Sequence, residues 1–119
     1  MLIIRDAQIS ALAEPGIRRF RERAVLHLRT AVPETCAALG EDAVQASVDL
    51  ALRKSREYGF REERDIVGYL NLMYLLGFDF DTDPRYAWTR DVLRATAAPG
   101  RWRMECLTER VLSALGCRS

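Results

Sequence analysis

The chain has 119 residues, 49% of them hydrophobic, with 18 Lys plus Arg against 17 Asp plus Glu. That length buries a core without disulfides or a structural metal, and the charge balance removes any global pull toward nucleic acid or an anionic membrane. Cys36, Cys106 and Cys117 lack the close spacing of a zinc site or a redox CxxC pair, so they read as buried, reduced thiols of a cytoplasmic protein.

In chain order, the opening MLIIRDAQ is too short an apolar run for a signal-peptide core and is broken by Arg5 and Asp6, so no cleaved-signal export is expected. Asp6 is placed to cap a short helix through Ile9 and Leu12. Pro15 then starts a second helix running to Ala31, on which Ile17, Phe20, Ala24 and Leu28 share one face. Pro33 stops it, and a short turn over residues 34–39 ends at Gly40. The next helix opens at Glu41 with a stripe of Val44, Val48, Ala51 and Leu52, and Gly59 closes it after Tyr58.

Residues 61–76 form a helix whose acidic start, Glu62, Glu63 and Asp65, suits the positive end of its dipole. From Ile66 to Leu76 only Gly68 and Asn71 are not apolar, which predicts a central helix covered on nearly all sides. A homodimer would be one way to complete that cover. The most apolar window, Ile66 to Phe80, is too short to span a membrane and is interrupted by Asn71 and Asp79. After Gly77 comes an Asp/Phe loop, then Asp83-Pro84 as cap and first residue of a helix that turns Trp88 and Val92 inward. Residues 97–101 form a linker. A last helix carries Met104, Leu107, Val111 and Leu115 and ends at Gly116. The expected fold over 1–119 is all-α: one compact domain of about six to seven helices around a central apolar helix.

No active site is visible. Asp79, Asp81 and Asp83 resemble the start of a calcium loop, but Pro84 stands where glycine is required and Arg90 where a bidentate Glu is needed. The simpler reading has Asp83 capping a helix and Phe78 and Phe80 anchoring the loop, with Asp79 and Asp81 free to face outward. His27, the single histidine, has no nucleophile near it in sequence, and no phosphate loop or hydrolase motif is present. Arg18, Arg19, Arg21 and Arg23 alternate with Glu14 and Glu22 on a solvated helix, and Trp88 and Trp102 sit at positions expected to be buried, so base stacking is not expected. Catalysis, metals, cofactors and nucleic acid are therefore not expected, which leaves binding to another protein. The expected partner surface is Phe78, Asp79, Phe80, Asp81, Tyr86 and Trp88, an aromatic edge rimmed by charge.

The string Tyr58-Gly59-Phe60, Glu63, Asp65, Tyr69, Leu72-Met73, Leu76-Gly77, Asp79-Phe80-Asp81, Asp83-Pro84 and Trp88 resembles small helical proteins encoded beside spike, PAAR-type tip and effector genes of bacterial type VI secretion systems. The opening IIRDAQISAL is similar too, while Pro15-Gly16 departs from the continuous early helix of that pattern. The resemblance implies a cytoplasmic, non-catalytic adaptor or co-chaperone whose partner is an effector, its chaperone or a spike component. An immunity protein that neutralises a cognate toxin is the alternative it implies.

Overall fold

A computed structural model describes residues 14–114, in which the fold is all-α. Its helices are α1 (Glu14–Ala31), α2 (Pro33–Leu39), α3 (Glu41–Glu57), α4 (Glu63–Leu76), α5 (Ala87–Arg94) and α6 (Gly100–Ala114), with two single 3-10 turns, Phe80–Thr82 and Pro84–Tyr86, between α4 and α5. The expected Asp6-capped helix and the Leu115–Gly116 helix end lie outside the described residues. Pro15 and Gly16 do not interrupt α1, because proline in a first turn gives up only an N–H that has no intrahelical acceptor. Pro33 likewise starts α2 instead of merely ending α1, leaving Val32 as the whole connection.

Ion pairs and hydrogen bonds set the helix directions. Arg21 pairs with Asp49 at 2.7 Å and Arg29 with Glu41, so α1 and α3 are antiparallel. Ser47 Oγ gives its proton to Val44 O at 2.6 Å, so the 2.7 Å bond to Tyr74 is donated by the tyrosine; with the Tyr58–Tyr69 stack it makes α3 and α4 antiparallel. It follows that α1 and α4 run the same way, joined by Arg23–Glu63 and by His27 Nε2 donating to Asn71 Oδ1 at 2.8 Å. Gly68 on α4 faces Met104 on α6 so closely that a Cβ there would lie 2.8 Å from its Cγ and Sδ. Further along, α6 keeps pace with α4, Thr108 beside Asn71 and Leu112 beside Leu75.

One apolar cluster fills the interior, from Phe20, Ala24 and Leu28 through Val44, Val48 and Ala51 to Ile66, Leu70, Met73, Leu93, Leu107 and Val111. Fully burying one such large side chain contributes about 1.5–3 kcal/mol, and the stripes of α1 and α3 supply several such side chains to the shared core. Two expectations fail on the outer helices. Trp102 is 55% exposed, because α6 turns Arg103, Met104, Leu107 and Val111 inward and Trp102 lies one residue off that stripe. Helix α4 is also not covered all round: Leu75 is 50% exposed and Val67, Gly68, Asn71 and Tyr74 are half-buried. Among the described residues no helix is long and apolar enough to cross a membrane.

Candidate functional site

The expected partner surface was the loop after α4 with the start of α5, and two of its six residues, Phe80 and Asp81, are interior. Gly77, at φ +126°, turns the chain out of α4 in a conformation L side chains rarely adopt. Phe80 is fully buried, its ring 5.0 Å from that of Tyr69. Asp81, expected to face outward, is 2% exposed. Its Oδ1 and Oδ2 accept from Lys54 Nζ at 2.7 and 2.8 Å, Oδ2 also accepts from Tyr58 OH at 2.7 Å, and its carbonyl accepts from Arg90 Nε at 3.0 Å. Phe80 and Asp81 are thus removed from any partner surface, because desolvating a carboxylate demands cations and donors that only the interior of this fold supplies.

Charge follows from that geometry. Burial pushes the Asp81 carboxyl upward, but the Lys54 and Tyr58 hydrogen bonds outweigh it and hold the group below the ordinary aspartate value. The Tyr58 hydroxyl, partly buried and donating to that carboxylate, is pushed up to about 12. Burial also raises Tyr69, whose buried hydroxyl has no hydrogen-bond partner. These groups lock the loop to α3 and are closed to substrate.

The other expected residues lie nearer the surface. Phe78 is half-buried against Tyr74 at 5.2 Å, Asp79 is exposed, Tyr86 lies 5.3 Å beneath the Arg85 guanidinium, and Trp88 lies 4.3 Å beneath that of Arg110. Asp83 caps as expected, accepting from Arg85 N at 2.9 Å, but it opens the 3-10 turn, and α5 begins only at Ala87. With Asp81 bound to Lys54 and Asp83 to Arg85, the three carboxylates do not converge, and no group of three or more His, Cys, Asp or Glu among the described residues is placed to hold a metal.

A buried cation, Arg103, organises the other side of Tyr58. Arg103, 2% exposed, donates to Tyr58 O and Leu93 O at 2.8 Å and to Ala98 O at 3.2 Å, with its guanidinium 4.4 Å over the Phe60 ring. It gathers the ends of α3 and α5 and the linker before α6. Burial lowers its pKa and raises that of neighbouring Asp65, each partly offset by the other's charge.

The open feature is a groove along the uncovered face of α4. Its upper part, about 880 Å³, lies between α4 and α6 and is lined by Glu63, Val67, Gly68, Met104, Glu105 and Glu109. Its lower part, about 300 Å³, lies between α1, α4 and α6 and is lined mainly by apolar groups, Ala31, Leu75 and Leu112 among them, with His27 at its side. Asn71 and Thr108 line both parts, which makes the groove continuous. Sequence reasoning missed it. Its one signal was a helix with more apolar surface than its neighbours cover, for which a homodimer was one way to complete the cover.

Fold and groove define a small all-α domain whose buried polar groups are structural and whose apolar channel is open. Comparison with protein-family models, with curated proteins and with solved structures finds no match.

Proposed function

We propose that the chain is a non-catalytic protein-binding module, an adaptor or co-chaperone that engages its partner through the α1/α4/α6 groove. The observation that carries this reading is the groove itself. Leu75 and Leu112, 50% and 39% exposed, border one continuous apolar channel, and contiguous exposed apolar surface in a folded domain marks an interaction site. The buried polar clusters support it: the Asp81 carboxylate is engaged by Lys54 and Tyr58, and Arg103 by three main-chain carbonyls of the fold. The secretion setting, with an effector, its chaperone or a spike protein as partner in the bacterial cytoplasm, rests on the resemblance of residues 58–88.

The test is affinity purification of the tagged protein from its host beside the variant Thr108→Arg, which fills the groove from an exposed position. Stoichiometric co-elution of an effector or its chaperone with the parent, lost in the variant, is expected. A toxin recovered alone would favour the immunity role instead, and no stoichiometric partner under native expression would refute the module.

A further inference from the structure

The groove has the dimensions, charge and polarity of a slot for one more helix. Its floor and one wall are parallel stripes at four-residue spacing, Val67, Asn71 and Leu75 on α4 and Met104, Thr108 and Leu112 on α6. Ridges at that spacing are what another helix interdigitates with. From Glu63 to Leu75 the channel is about 18 Å long at 1.5 Å per residue, which is room for about twelve helical residues.

Charge specifies the occupant further. Glu105 and Glu109 stand one turn apart on the α6 wall, where like charges repel; with Glu63 and Asp65 they outnumber the two cations of this part, Arg101, 3.8 Å from Glu105 on the same helix, and Arg64. Direction follows from the parallel run of α1, α4 and α6: the positive ends of α4 and α6, at Glu63 and Gly100, lie together at the Glu63 end of the channel, while α1, with Arg23 against Glu63, begins beyond it. A helix laid antiparallel to all three brings its negative C-terminal end there, and basic residues in its last turn both suit its own dipole and meet Glu105 and Glu109. The described helices of this chain do not present such a face. Their exposed large apolar residues are Leu26 and Leu39, isolated on α1 and α2, Trp102, and Leu75 and Leu112 of the groove itself.

Resting on the protein-binding reading, we infer that the groove receives an amphipathic helix of about three turns from a partner protein. It lies antiparallel to α1, α4 and α6, with apolar residues at i, i+4 and i+7 facing Val67 and Leu75 and Arg or Lys in its last turn facing Glu105 and Glu109.

The test is selection of a displayed library of 14-residue helical peptides against the full chain, followed by fluorescence polarisation of an enriched peptide. Enriched sequences are expected to carry the apolar spacing and a basic last turn. Affinity is expected to fall at least about tenfold in Thr108→Arg and in the double variant Glu105→Lys/Glu109→Lys, and to stay within about twofold in Asp79→Lys/Tyr86→Ala, with circular dichroism unchanged throughout. A nitroxide on the peptide's C-terminus is expected to broaden amide signals near Glu63 and Arg101, not near Leu75 and Leu112. Binding indifferent to the groove variants, acidic last turns, or broadening at the wrong end overturns the inference. So does displacement of the enriched peptide by a peptide of residues 1–13 or by dimerisation of the chain, since the occupant is then its own segment or a second copy. A host partner that still binds Thr108→Arg refutes the groove while leaving the protein-binding reading standing.

Discussion

Lys54→Met removes the ammonium that bonds both oxygens of Asp81 and leaves the carboxylate, 2% exposed, with Tyr58 OH as its remaining side-chain donor. Breaking a buried pair from one side costs about 3–5 kcal/mol, because the surviving charge stays desolvated. The Lys54 side chain keeps 18% of its surface, so water reaches it and the lower figure, about 3 kcal/mol, applies. Two hydrogen bonds to a charged group, at about 1.5 kcal/mol each, give the same magnitude. Urea unfolding followed by circular dichroism reads this as a midpoint lowered by about 2 M, for a slope near 1.5 kcal/mol per M. Lys54→Met/Asp81→Leu removes both charges and is expected to recover at least half the loss, a coupling of about 1.5 kcal/mol or more. If the two single losses simply add, with coupling under about 0.5 kcal/mol, the pair does not hold the loop and the reasoning fails.

Acid should act on the two buried aspartates in opposite senses. Asp81, depressed, contributes stability that is present above its unfolded value of 3.8 and lost as pH falls through its lower folded value, so the cost of Asp81→Asn shrinks in acid. Asp65, raised by burial, binds its proton more tightly when folded, so Asp65→Asn should gain on the parent as pH rises above 3.8; urea midpoints across that range check both signs. Arg103→Met strips the donors from three main-chain carbonyls and should cost about 3 kcal/mol in urea unfolding, with Arg103→Lys recovering only part because an ammonium cannot reproduce the guanidinium fork. Tyr69→Phe deletes a buried hydroxyl that has no partner, so it should leave stability unchanged or raise it by up to about 1 kcal/mol in thermal unfolding; a loss above about 1 kcal/mol would mean that the hydroxyl is satisfied.

What was legible in the sequence was local. Phe20, Ala24 and Leu28, or Val44, Val48, Ala51 and Leu52, declare a buried face within a few turns, and all of them are buried. Gly40, Gly59 and Gly77 mark helix ends and take positive φ there. What was not legible depends on partners distant in sequence. Asp81 looked like an outward carboxylate because Lys54 and Tyr58, the groups that bury it, come 27 and 23 residues earlier. Trp102 looked buried by size, whereas Arg103 takes the interior position because three carbonyls, Phe60 and Asp65 await its charge. The groove escaped for the same reason. Apolar content shows that a helix wants cover, but which flank its neighbours leave bare depends on how α1 and α6 are placed.

The engagement of Lys54 has a chemical corollary. In a chain whose other 17 Lys and Arg side chains are all arginine, it supplies the one ε-amine, and the native fold holds that amine 2.7 and 2.8 Å from the two oxygens of a carboxylate. An amine held in two hydrogen bonds to a carboxylate is not free to attack an acylating reagent, so the folded domain slows acylation of this side chain. Release of the loop after α4 frees the one ε-amine, and the rate at which Lys54 itself becomes acylated, read by peptide mass, times that opening.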